Sequence, residues 1–116
     1  MEPIRFRIED ALGLRTGVCI KQVRVLVDRE CDCIRITGRL EMNDNAYPIS
    51  PGFEPEVQAD LLNNEDQVCF GAASTHDGCL KASKRVSFRL KLENVSKAIP
   101  YSSIEEIHLY LIFIRR

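Results

Sequence analysis

Ile34-Arg35-Ile36-Thr37-Gly38-Arg39-Leu40-Glu41-Met42 decides the fold class. Large apolar residues fall only on even positions, and polar or charged ones fill the odd positions between them. In an extended chain successive side chains point to opposite faces, so a period of two gives one dry face and one wet face. A helix would scatter the same residues around its circumference. The pattern returns in Val86-Ser87-Phe88-Arg89-Leu90-Lys91-Leu92 and in Ile4-Arg5-Phe6-Arg7-Ile8. It returns again in Val23, Val25 and Val27, set against Gln22, Arg24 and Leu26. Strands with one wet face are those of antiparallel sheets.

Around these strands the punctuation is that of an all-β chain. Strands are expected at about 56–62 and 67–73, joined through the polar turn Asn63-Asn64-Glu65-Asp66. Asp77-Gly78 is a second turn signal. The stretch from Asn43 to Pro55 contains Pro48, Pro51, Gly52 and Pro55. Proline lacks the ladder N–H, so this stretch is expected to cross between sheets and not to form a central strand. The last strand, at about 105–114, differs. Ile107, Leu109, Leu111 and Phe113 fill one face, while His108, Tyr110, Ile112 and Ile114 make the other largely apolar. Such a strand is central in its sheet and at least partly covered on both sides. Helical turns are confined to 9–14 and 94–104, with Pro100 to Ser103 read as a corner.

The 116 residues fit one domain, 1–116. A chain of this length buries roughly two-thirds of its unfolded surface, enough for a core without obligatory disulfides or metal. Apolar residues make up 45% and charged residues 28%, the balance of a globular protein. About seven strands separated by turns indicate a β-sandwich or a small barrel. The expectation is a two-layer antiparallel β-sandwich.

Sixteen basic and 17 acidic side chains leave a net charge of −1, so nothing global steers the chain to nucleic acid or an anionic membrane. No apolar stretch is long enough for a membrane-spanning helix. Met1-Glu2-Pro3-Ile4-Arg5-Phe6-Arg7 has no apolar leader core, so a cytoplasmic location is expected unless a leader has been trimmed. Asn94-Val95-Ser96 matches the glycosylation sequon and carries no meaning without a leader. Five cysteines, an odd number, favour free thiols over a disulfide framework.

Chemistry-bearing residues are few. Cys31 and Cys33 share a strand face at i, i+2. With Cys69, His76 and Cys79 they form the candidate metal set. Against this, Cys19 and Cys69 suit small core positions, and the other thiols suit loops. A thiol–imidazole dyad would need His76 or His108. The loop Ser74-Thr75-His76-Asp77-Gly78-Cys79 is rich in reactive groups, yet sequence neighbours seldom make a triad and ordinary turns hold the same residues. Gly-rich phosphate loops and known hydrolase or metalloprotease motifs do not occur, and no cofactor is expected. The chain is expected not to be an enzyme.

Two surfaces remain. The polar strand faces carry Arg5, Arg7, Arg24, Arg35, Arg39, Arg89 and Lys91, with Lys81, Lys84 and Arg85 just before the sixth strand, while many acids sit in turns. Gathered into one sheet, these cations would receive an anionic partner; dispersed, they would merely solubilise strands and guard edges. Few aromatics interleave with them, unlike single-strand nucleic-acid binders. Tyr110, Ile112 and Ile114, if left uncovered, would form an apolar interface suited to a protein partner or a second copy of the chain.

The stretch from Cys33 to Phe113 also carries a resemblance. A strand and a Pro/Gly-containing connection lead into Val57-Gln58-Ala59-Asp60-Leu61-Leu62-Asn63-Asn64-Glu65-Asp66. Then come Val86-Ser87-Phe88-Arg89-Leu90 and a closing aliphatic strand. This order resembles bacterial immunoglobulin-like sandwiches of the FxLYD type. Leu-Tyr-Asp, the Asp-x-x-Gly turn, a lipoprotein leader and the Cys…Trp…Cys signature are missing. The resemblance implies an immunoglobulin-like fold and a non-enzymatic protein-interaction or assembly module, working through a sheet face or edge. The alternative is a small regulatory domain that binds a metal ion or an anion.

Overall fold

Arg85–Glu93 is exposed at every odd position and buried at every even one, without a break. This strand sits inside one of two packed four-stranded sheets in the computed structural model, which describes residues 4–9, 17–42, 53–73, 75–76 and 85–115. In chain order the strands are β1 (Arg5–Glu9), β2 (Val18–Asp28), β3 (Cys33–Met42), β4 (Phe53–Leu62), β5 (Val68–Ala73), β6 (Thr75–His76), β7 (Arg85–Glu93) and β8 (Glu106–Arg115). A single helical turn, α1 (Val95–Ala98), and a 3-10 turn (Tyr101–Ser103) join the last two. One sheet has the order β2-β3-β7-β6, the other β1-β8-β4-β5.

The two sheets share one core. Ile34, Ile36, Leu40, Phe88 and Leu92 meet Val57, Leu61, Ile107 and Leu109 from the opposite layer, all fully buried. Burying each such side chain contributes roughly 1.5–3 kcal/mol, the main stabilising term of the fold. The all-β sandwich expected from the alternation is the observed architecture. The Asn63–Asp66 turn joins β4 to β5: the Asn63 side-chain oxygen accepts from the backbone N–H groups of Glu65 at 2.9 Å and Gln67 at 3.0 Å.

Three expectations change. The sheets are not wholly antiparallel, because β1 pairs with β8 in parallel, from Arg5 opposite Glu106 to Glu9 opposite Tyr110. These strands lie at opposite ends of the described chain, so no hairpin dictates their relative direction. Secondly, Pro55 lies within β4, an interior strand, where it is buried opposite Phe113. β5 pairs with β4 from Gln58 onward, so among the described residues Pro55 has β8 alone as its strand neighbour. Thirdly, β2 is longer than its alternation indicates. β8 does lie inside its sheet, between β1 and β4.

The length of β2 comes from a change of phase. Val18 and Ile20 face the core, and so do Val23, Val25 and Val27. Even and odd positions can share one face only if a residue is inserted between them. Lys21 pairs with Arg39 and Arg24 pairs with Thr37, so Gln22 and Val23 together stand opposite Gly38. Gln22 adopts the left-handed conformation, φ 53°, at this bulge. Gly38 faces Phe88 across β3 and β7. A Cβ on Gly38 would lie 2.6 Å from Phe88 Cζ and 3.1 Å from the Lys21 carbonyl oxygen. The absent side chain at Gly38 is therefore the seat of the Phe88 ring.

A second tie holds one end of the sandwich. Asp32, in the β2–β3 turn at φ 52°, accepts hydrogen bonds from Ser96 N (3.0 Å), Ser96 Oγ (2.6 Å) and the Tyr101 hydroxyl (3.0 Å). The Arg29 guanidinium lies 5.0 Å from the centre of the Tyr101 ring. Hydrogen bonds from Ser96 hold the Asp32 carboxyl below the ordinary carboxylate range. Burial, and then the Asp32 hydrogen bond, push the Tyr101 phenol up to about 12.

Gly38→Ala is expected to cost about 1–3 kcal/mol by overpacking, measured by urea denaturation. Combining it with Phe88→Leu should cost less than the two single changes summed, because the new methyl takes space vacated by the ring. Wild-type stability should hold up to about pH 10 and decline as pH rises through the Tyr101 window towards 12, where only the unfolded phenol is ionised. It should also be present above the ordinary carboxylate range and decline as pH falls below it, as Asp32 protonates. Tyr101→Phe should cost about 0.5–1.5 kcal/mol at neutral pH and flatten the alkaline decline.

Candidate functional site

Because alternate residues of β2, β3 and β7 fill the core, the residues between them share the outer face of that sheet. The register arranges them in rows across the strands. Lys21 stands beside Arg39 and Ser87. Arg24 stands beside Thr37 and Arg89. Leu26 stands beside Arg35 and Lys91. Rows are roughly 6.5–7 Å apart along the strands, and neighbours about 4.8 Å apart across them. The result is a basic field with Thr37 and Ser87 hydroxyls at its centre. Its ends are closed by ion pairs, Arg85 to Glu41 at 3.6 Å and Lys91 to Glu93 at 3.2 Å.

The bulge shapes this field. Gln22, Arg24, Thr37, Gly38, Arg39, Ser87, Phe88 and Arg89 line an open depression. Among the described residues no carboxylate belongs to the lining. Arg24 and Arg39 have no ion pair among the described residues. Guanidinium groups offer donors in a planar fork that matches carboxylate and phosphate oxygens.

Of the cations expected on one face, Arg24, Arg35, Arg39, Arg89 and Lys91 are together. Arg5 and Arg7 are not. They lie on β1, at the edge of the other sheet, in ion pairs with Glu105 (4.0 Å) and Glu106 (3.0 Å). Lys21, Thr37 and Ser87 complete the face. Lys21 was illegible because it precedes the phase change at Gln22, and the hydroxyls lacked charge to draw notice. Lys81 and Lys84 lie outside the described residues.

The outer face of the second sheet has the opposite character. Glu9, Glu54, Glu56, Asp60 and Glu106 lie on it and outnumber Arg5 and Arg7 there, with His108 and Tyr110 between them. His108 Nε2 is 3.3 Å from a Glu9 carboxylate oxygen, and its ring centre is 5.4 Å from that of Tyr110. Tyr110 donates to Gln58 Oε1 at 2.7 Å, and burial with the nearby Asp60 carboxylate pushes its phenol up. Tyr110, Ile112 and Ile114 are half-buried there, beside Gln58, Glu56 and Glu54. The exposed large apolar side chains among the described residues are Phe6, Leu26 and Val68, all on edge strands.

The candidate metal set is dispersed. Cys31 is exposed in the β2–β3 turn, and Cys33 is buried at the start of β3. Cys69 belongs to β5 of the other sheet, its thiol directed at the Gln67 carbonyl 3.6 Å away. His76 is on the edge strand β6, and Cys79 lies outside the described residues. Among the described residues no three His, Cys, Asp or Glu side chains are placed to hold an ion. The free thiols found there are Cys19, Cys31, Cys33 and Cys69. The Asp28 carboxylate pushes the Cys31 thiol up, away from the reactive thiolate, and its Oδ1 accepts from the Cys31 N–H at 3.1 Å. No helix among the described residues is long and apolar enough to cross a membrane.

Comparison with protein-family models, curated proteins and solved structures finds no match for this chain.

Asp28→Asn is expected to speed alkylation of Cys31 at pH 8, read by peptide mass spectrometry against the buried Cys33 as an internal control. An unchanged rate would show that Asp28 does not govern this thiol.

Proposed function

We propose that the chain is a non-catalytic interaction module that receives an anionic partner on the outer face of β2, β3 and β7. The observation that carries this reading is the grouping of Lys21, Arg24, Arg35, Arg39, Arg89 and Lys91 on one sheet face, around a depression whose described lining holds no acid. Dispersed cations would serve solubility alone. Cations placed in adjoining rows repel one another, and an anionic partner relieves that repulsion.

The likeness to immunoglobulin-like modules gains support from the strand order. In immunoglobulin domains one sheet runs A-B-E-D, and the other places F next to C and, in variable types, C next to C′. The orders β2-β3-β7-β6 and β8-β4-β5 follow those sequences, with the same antiparallel neighbours. Tyr101 falls at the E–F corner, where such domains carry a hydrogen-bonded tyrosine, although here it donates to Asp32. The departure is β1, which stands beside β8 where a last strand would stand, and runs parallel to it.

Heparin is a simple polyanionic probe. Binding measured by fluorescence anisotropy should weaken steeply as salt rises. Arg24→Glu with Arg39→Glu should abolish it, whereas Arg5→Glu with Arg7→Glu, on the other sheet, should leave it nearly unchanged. Absence of binding at low salt, or equal losses from the two pairs, would refute the reading.

A further inference from the structure

We infer that the depression at the β2 bulge seats one phosphoryl group, carried as a phosphomonoester on an acidic segment of a partner protein. This rests on the basic face being an anion-docking surface, and it assigns that surface a specific anchor point.

The donors around the depression suit a tetrahedral dianion better than a carboxylate. Arg24, Arg39 and Arg89 approach from three strands, and Thr37, Ser87 and Gln22 add neutral donors. The Arg24 and Arg89 backbones flank Thr37 on either side, so they lie about 9–10 Å apart, two strand spacings. Guanidinium groups on stems of that separation can close on a single anion between them. A carboxylate offers two oxygens and one charge; a phosphomonoester offers three oxygens and a charge of about −1.5 to −2. The bulge is what shapes the seat: Gln22 and Val23 together stand opposite Gly38, which brings Gln22 to the rim beside Arg24 and Arg39.

The surroundings favour a peptide over a nucleic acid. Among the described residues the aromatic ring at the depression is Phe88, buried at 1% exposure and offering bases no stacking surface. Leu26, 58% exposed, stands in the next row beside Arg35, where an apolar side chain of a peptide can rest. Lys21, Arg35 and Lys91 lie in the rows on either side, suited to acidic residues flanking the phosphorylated one.

The test uses three fluorescent acidic peptides, identical except for phosphoserine, serine or glutamate at one position, with anisotropy as readout. Thr37→Val and Ser87→Ala remove hydroxyls from exposed strand positions without altering charge, and thermal melts confirm that they fold. The phosphoserine peptide should bind at least about tenfold more tightly than the serine peptide, and more tightly than the glutamate peptide. Each hydroxyl variant should cost the phosphoserine peptide about tenfold, the range of a hydrogen bond to a charged group, and leave the serine peptide unaffected. Equal affinities for the three peptides, or no loss in the hydroxyl variants, would overturn the seat. If Arg24→Glu with Arg39→Glu still abolished binding in that case, the basic face would stand without it. Absence of binding by every peptide and by heparin would remove both. A single-stranded oligonucleotide that binds more tightly than the phosphopeptide, with no dependence on Thr37 or Ser87, would also overturn the proposal.

Discussion

One inserted residue in β2 sets the geometry of the sheet that carries the basic face. Strand parity allows only every second side chain into the core, and β2 has apolar residues in both phases. Gln22 absorbs the conflict by standing out of register at φ 53°. Val18, Ile20, Val23, Val25 and Val27 then pack against the same layer. A non-glycine residue in the left-handed region costs on the order of 1 kcal/mol, well below the gain from burying the valines beyond it. The insertion also needs a permissive partner. Gly38 supplies it, and Phe88 occupies the room Gly38 leaves.

The same defect connects core to surface. On the inner side it seats Phe88. On the outer side it leaves the depression between Arg24, Arg39 and Arg89. A regular sheet would present those cations on a flat pleat, each with its own hydration. Packing in the core thus dictates where a concavity can exist on the face, and the basic rows follow from the register that packing enforces.

Much of this was legible in the sequence, and the failures have physical reasons. β3 and β7 alternate without interruption, so their faces could be read directly. Asn63-Asn64-Glu65-Asp66 announced the β4–β5 hairpin through turn chemistry that acts locally. By contrast, Val18 to Lys21 fall out of phase with Val23 to Val27, and a pattern reading stops at the break. The grouping of Arg5 and Arg7 with the other arginines failed because alternation gives a residue's face, not its sheet. Sheet membership is fixed by long-range pairing, here of β1 with β8. The parallel sense of that pair and the acceptance of Pro55 share this origin. The cysteines failed likewise: Cys33 and Cys69 belong to different layers, which spacing along the chain cannot reveal.

Among the described residues the two outer faces lean to opposite signs, with Lys21, Arg24 and Arg35 on one and Glu9, Glu54 and Asp60 outnumbering Arg5 and Arg7 on the other. A net charge of −1 makes the molecule nearly neutral to a distant observer. Close up, the described charges form a dipole directed through the thickness of the sandwich. Such an object feels little net pull towards a polyanion but a torque that turns the β2-β3-β7 face forward within a Debye length, about 8–10 Å at physiological salt. Encounter would then be selective in orientation before any contact forms.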